Sequence, residues 1–372
     1  MSDEADRSTL YRRLFPWLLL TAALLLAYLT RAILLPFLAG FAVAYLLDPL
    51  ADRLEDKGVP RGLAAGAIIG LFFALATAVV VALFPLLQAQ ILDLVHALPD
   101  LFATLRARAD SLLSFVNTEF GESAREEAQG LMTAALEKGF ASAGDVVRGL
   151  FAGGIALFNL FSLILISPVV AFYLLRDYDR ILAHLDTLLP PREAPAIKAM
   201  LADVDTVLSG FVRGQLTVVV AMAVIYAFGW STIGLDYGLL LGLLAGVLTI
   251  IPFVGMIFAA GLALAVGFAQ WGADWSQLGL VATVWAVAQA LEGTILTPRL
   301  VGKHVRLHPL WVLFAVFAGG EVAGFVGVLV AIPAAAVIAV LVRTTLARYR
   351  AGTGAQTPPP LADTGSATQE EA

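Results

Sequence analysis

The twenty-five residues Leu63–Leu87 carry no charged side chain. Nothing else constrains the fold so strongly, because a helix of about 20 apolar residues crosses roughly 30 Å of hydrocarbon. A helix buried in a soluble domain shows an apolar stripe and a polar face, and this run has no polar face. Further apolar runs occupy Pro16–Thr30, Ala32–Leu47, Leu150–Leu175, Gly214–Trp230, Gly238–Phe268, Leu278–Leu296 and Leu310–Val342. Only 14% of the 372 residues are charged and 60% are hydrophobic. A soluble domain of that length needs far more polar surface. The chain is therefore expected to be an all-α polytopic membrane protein in contact with a lipid bilayer.

The polar stretches divide it. Residues 1–13 form a basic N-terminus with Arg7, Arg12 and Arg13. A signal peptide shares that start, but the apolar sequence continues past Arg31, so 14–87 reads as three spans; a cleaved signal is the alternative. Gly62, Gly66 and Gly70 permit close helix approach at the start of the third, although glycine is common in membrane helices anyway. Residues 88–149 hold acids from Asp93 to Asp145 and are expected to form a small helical extracytoplasmic domain, with a kink or break at Pro99 and a further helix over Arg125–Lys138. After a span over 150–175, residues 176–213 read as a cytoplasmic linker whose amphipathic helix Ala194–Phe211 lies along the membrane surface. Residues 214–345 form the C-terminal core, and 346–372 a disordered tail rich in Thr, Gly, Pro and Ala.

Charge sets the topology. The short basic connectors, among them Asp48–Arg61 and Thr297–Pro309, belong in the cytoplasm with both termini. The linkers Ser231–Tyr237 and Gln270–Gln277 have no Lys or Arg, so Gly238–Phe268 begins and ends outside. That run is too short for two full spans, which need about 40 residues. A re-entrant helical hairpin with its tip at Ile251–Gly255 satisfies both constraints. Leu310–Val342 starts and ends on basic flanks and reads as a second hairpin, entering from the cytoplasm with its tip near Gly319–Gly324. The expected architecture is about six full spans plus two opposed re-entrant hairpins, conventionally eight transmembrane segments. Eight full spans are the alternative, but they leave Arg299, Lys303 and Arg306 outside.

Broken hydrophobic helices at the membrane midplane are where secondary transporters bind cargo. The candidate pathway residues follow from that. Glu292 lies about 6 Å inside the end of a span, at 1.5 Å per residue, with Gln289 one turn before it. A carboxylate inside the membrane suits a cation or proton, and the bland alternatives are an interfacial carboxylate or a pair with Arg299. Glu321, among Gly319, Gly320 and Gly324, is either a cation ligand at a flexible tip or an exposed loop acid. Pro252 and Gly255 break the first hairpin and free backbone carbonyls; a satisfied kink is the alternative. Arg213 and Gln215 flank the start of span five, where Arg213 fits a positive-inside anchor better than a ligand. His304 and His308 read as solvated loop residues.

Other classes are disfavoured. No cysteine, phosphate-binding loop, His-Glu-x-x-His or nucleophile elbow occurs, so no enzyme activity, cofactor or metal site is expected. The net charge of -6 is uneven, with acids collected in Asp93–Asp145 and the C-terminal tail and the short connectors basic, which argues against a nucleic-acid partner.

Several co-ordered motifs resemble the AI-2E transporter family, named for autoinducer-2 export. They are Phe211-Val-Arg-Gly-Gln215, Gly246-Val-Leu-Thr-Ile-Ile-Pro-Phe-Val-Gly255, Gln289-Ala-Leu-Glu292 through Pro298, Val301-Gly302, His308-Pro309 and Gly327-Val-Leu-Val-Ala-Ile-Pro333. Pro36-Phe37, Tyr45, Pro49 and the insertion after span three extend the likeness to nearly the whole chain. The resemblance implies a bacterial inner-membrane transporter that forms a homo-oligomer. Its cargo would be a small polar solute such as autoinducer-2, exported in a quorum-sensing role, or sodium (lithium) exchanged for protons. A membrane scaffold that transports nothing is the third reading.

Overall fold

The computed structural model describes residues 33–120, 153–188, 194–251, 254–301 and 308–352, with isolated positions in 25–30 and 129–134. Helices dominate these residues, and no strand occurs among them. The elements are α1 (Leu34–Glu55), α2 (Arg61–Phe120), α3 (Gly153–Leu188), α4 (Ala194–Thr232), α5 (Gly238–Leu248), α6 (Val254–Trp271) and α7 (Trp275–Leu291). A π-helix (Glu292–Leu296), the short α8 (Thr297–Leu300) and α9 (Pro309–Gly352) follow. By length and composition, six helical stretches among the described residues can cross a membrane: Leu34–Glu55, Arg61–Arg108, Ala194–Thr232, Val254–Trp271, Trp275–Leu300 and Pro309–Ala347. The expected first span, the expected helix Arg125–Lys138 and the tail lie largely outside the described residues.

Helices run further than charge alone suggests. α1 continues through Pro49 into the supposed loop, because Asp48, Asp52 and Glu55 recur along one helical face and all meet Arg61. Its guanidinium donates to them at 2.8, 2.5 and 2.9 Å, and its Nε donates to Leu175 O at 3.1 Å. Only a short turn separates α1 from α2. α2 runs unbroken through Pro85 and Pro99 for 60 residues, about 90 Å at 1.5 Å per residue. Of the expected kink or break at Pro99, a break does not occur, so the third span and the start of the acidic segment belong to one helix. α4 likewise joins the amphipathic stretch and span five in one helix of 39 residues. No proline interrupts it after its first turn, so the two stretches share one continuous helix.

Two hydrophobic cores result. The first holds Ala44, Leu47 and Ala51 of α1, Ala65 and Ile69 of α2, and Ala171 and Leu175 of α3. The second is built on α4, with Phe211, Val218, Met222, Tyr226 and Trp230 packed on Leu241, Ala245, Ala259, Ala263, Val281 and Ile332. Tyr226 and Trp230 stack with ring centroids 4.7 Å apart, and Trp230 Nε1 donates to Val281 O at 3.4 Å.

Close helix approach occurs, but not at the expected glycines. A Cβ on Gly62 or Gly66 would meet only side-chain atoms at 3.6 and 3.7 Å, and one on Gly70 would meet nothing. Instead Gly238, Gly242 and Gly246 line one face of α5, and Cβ atoms there would strike the backbone of Trp230, Ala227 and Ala223 on α4. Contact this tight at four-residue intervals is the small-residue packing of membrane helices.

Both broken hydrophobic segments are helical hairpins. α5 has 11 residues, about 16 Å, too short to cross, whereas α6 with 18 residues reaches about 27 Å. In α9 the turn falls at Ala323–Gly324, where Gly324 has φ 61°, a left-handed value that glycine tolerates. The two arms then run antiparallel: a Cβ on Gly319 would lie 2.5 Å from Gly327 O, and one on Gly320 3.2 Å from Val328 Cγ2. Gly319 and Gly320 are thus a packing face within the first arm, and the expected flexible tip narrows to Ala323–Gly324.

Candidate functional site

The site forms where two helix interruptions face each other. α5 tightens as it ends: Ile250 and Ile251 N–H groups bond three residues back, to Val247 O at 3.2 Å and Leu248 O at 3.0 Å. Pro252 lies outside the described residues. Beyond it Gly255 N–H returns to Ile251 O at 3.2 Å, and a Cβ on Gly255 would lie 2.6 Å from Thr249 N. The bend presses α6 against the end of α5, and only glycine fits there. The Thr249 carbonyl, past the last regular turn of α5, is taken by Gln215 Nε2 of α4 at 3.1 Å.

Across from this bend lies the π-helix that begins at Glu292. Thr297 N–H bonds five residues back to Glu292 O, and Pro298 has no N–H to offer. The helix-register donors that would reach Gly293 O are thus diverted or missing. Single π-turns mark functional positions inside α-helices. Gln289 and Glu292 share a face, and Gln289 Nε2 donates to Tyr226 Oη at 2.9 Å and to Glu292 Oε2 at 3.0 Å. Both amide protons are therefore used to position the carboxylate against the buried Tyr226–Trp230 stack. Trp285 Nε1 donates to Met256 O at 3.2 Å, fixing α7 to the start of α6.

Between the two interruptions is a cleft of about 220 Å³ lined by Thr249, Ile251, Met256, Gln289, Glu292, Gly293 and Thr297. Glu292 is half-buried and is the one charged residue of that lining. Among the described residues it has no ion pair, and the alternative partner Arg299 is exposed. No group of acids and histidines suited to a metal ion occurs among the described residues.

The AI-2E family transporter model matches residues 17–347. The chain belongs to the AI-2E transporter family. Similar proteins include YrrI of Bacillus subtilis, 34% identical over 195 residues, which are 52% of this chain and 54% of that protein. PerM of Escherichia coli K12 is 27% identical over 194 residues, 52% of this chain and 54% of its own. These relatives are named provisionally as a transport protein and a permease. The chain spans about half the length of the curated relatives it matches. This chain is a multi-pass membrane protein of a transporter family.

In this AI-2E family member the expected pathway residues divide. Gln289, Glu292, Gln215 and Gly255 come together around the cleft. Arg213 does not: its Nη2 donates to Tyr45 O at 3.3 Å, away from the cleft. Glu321 is exposed, has no partner among the described residues and does not line the cleft. Gly319, Gly320 and Gly324 shape the second hairpin. His304 and Lys303 lie outside the described residues, and His308 is exposed. Sequence reasoning missed Thr249, Gly293, Thr297 and Tyr226. Tyr226 was the detectable one, a hydroxyl in the middle of an apolar span.

Proposed function

We propose that the Glu292 cleft is the cargo site of a secondary transporter that exports a small polar solute. The observation carrying this reading is the meeting of two interrupted helices around one half-buried carboxylate, with no basic side chain in the lining. Such a lining accepts neutral polyhydroxylated molecules or cations and repels anions. An uncharged autoinducer-2-like molecule fits both the cleft and the family resemblance. The α5–α6 and α9 hairpins act as re-entrant elements from opposite faces, and cargo passes between them by alternating access. The protein works in the bacterial inner membrane with cytoplasmic termini, as a homo-oligomer whose lipid-like exposed residues Phe314, Phe317 and Phe325 meet bilayer or a second copy.

A second reading, sodium (lithium)/proton antiport, is favoured by Glu292 itself, a carboxylate in a cleft without a counter-ion. The test is a proteoliposome assay with labelled autoinducer-2, a sodium indicator and a proton indicator side by side. Autoinducer-2 flux without ion movement supports the first reading, and sodium-driven proton flux supports the second. Movement of none of the three sinks both and leaves the scaffold role.

A further inference from the structure

The two hydrophobic cores share no residue, and side-chain hydrogen bonds join the helices that carry them. Asp205 of α4 accepts from Tyr45 Oη of α1 at 2.8 Å and from Tyr178 Oη of α3. Eight residues further along α4, Arg213 donates to Tyr45 O. That carbonyl would ordinarily receive the N–H of residue 49, which is proline, so Arg213 supplies the donor that α1 lacks. Arg213 Nε is buried with no hydrogen-bond partner, and Asp48 of α1 attracts the guanidinium across the same seam. Beside Tyr45 and Tyr178 a small cleft of about 40 Å³ remains between α1 and α3.

The far contacts have the same character. Gln90 Oε1 of α2 accepts from Leu240 N at 2.9 Å, and Arg108 Nη1 of α2 donates to Phe268 O at 2.7 Å. α2 therefore begins in the first core, where Phe72 and Phe73 pack, and meets the α5–α6 hairpin further along at Gln90 and Arg108. Pro85 lies between the two attachments, and a proline inside a helix removes one hydrogen bond and permits a bend.

We propose that α1, α3 and the start of α2 form one body, and the helices built on α4 a second. The two shift past each other, with Asp205–Tyr45–Tyr178 as the latch between them and Pro85 as the bend in α2. Polar contacts suit such a seam, since water replaces each lost hydrogen bond at a small net cost, whereas a shared apolar core would have to be torn open. Arg213 sits at the seam, while Gln215 on the same helix holds the Thr249 carbonyl, so movement of α4 reaches the cleft. The inference rests on the seam alone and is independent of the cargo.

The chain has no cysteine, so spin-label pairs can be placed at will. Lys57→Cys with Thr206→Cys reports across the seam, and Lys57→Cys with Asp179→Cys reports within the first body. In the purified protein in lipid nanodiscs, the double variant Tyr45→Phe/Tyr178→Phe is expected to populate a second distance across the seam. The population should rise at least about tenfold, because two hydrogen bonds to a carboxylate are lost. The pair within the first body should keep its distance. Asp205→Asn, which keeps an acceptor oxygen, should shift the distribution less than Asp205→Leu. One unchanged seam distance in all variants overturns the proposal. Broadening of both pairs alike overturns it too, since the tyrosines would then simply hold the fold together.

Discussion

Glu292 is held by a single side-chain hydrogen bond, from Gln289, and faces a cleft with no cation to balance it. Glu292→Gln preserves size and removes the charge, so its effect isolates electrostatics from packing. If the cleft binds cations, flux of positively charged cargo should fall at least about tenfold, matching loss of a charged contact worth ~1.5–3 kcal/mol. Thermal unfolding should be unchanged, and the flux assay with an unfolding scan of the same preparation checks both. At the seam, burial first and the Asp205 hydrogen bond second push the Tyr178 phenol up to about 12. A raised pKa means that the neutral phenol's contribution is complete below about pH 10 and is lost as pH rises through 12. Tyrosinate absorbance, corrected by subtracting Tyr178→Phe, should show this late titration, and Asp205→Asn should move it earlier. Sequence alone singled out Glu292 and Gln289, because an acid in an apolar run is rare. It could not show the π-turn, since a change of hydrogen-bond register leaves no mark in composition.

Elements were legible where period and charge agree, and less so where side chains satisfy the backbone across the chain. The helix breaks expected at Ile251–Gly255 and near Gly324 fall between packed helical arms. Charged residues suggest a loop where α1 is still helical, and the helix Ala194–Phe211 and span five read as two elements where α4 is one. In fact Asp48, Asp52 and Glu55 keep α1 helical by converging on one arginine. Glycine spacing misled in the same way: the every-fourth pattern at Gly62 to Gly70 is loose, and the one at Gly238 to Gly246 is tight. Gly242→Ala would press a methyl into the Ala227 backbone, which no rotamer can relieve. It should cost about 1–3 kcal/mol, the usual penalty of overpacking, whereas Gly70→Ala should stay within about 0.5 kcal/mol. Unfolding midpoints in one detergent compare the two directly, and equal midpoints would refute the packing assignment.

At the scale of the whole molecule the open question is which ends of the hairpins face which side of the membrane. By the positive-inside rule Asp56–Pro60 and Lys303 are expected on the cytoplasmic face, and Asp274, in a linker without Lys or Arg, is expected outside. The folded geometry is compatible with that placement in one specific respect. Asp274 accepts from Ser276 N at 3.0 Å and Gln277 N at 3.3 Å, capping α7, and α7 then leads directly to the Glu292 interruption. Single cysteines at Asp274 and Lys303 distinguish the arrangements with a membrane-impermeant maleimide. Asp274→Cys should label in right-side-out vesicles and Lys303→Cys only after inversion. Labelling of both from the same side would remove the opposed-hairpin topology, and with it the route by which two re-entrant hairpins give the Glu292 cleft access to each face in turn.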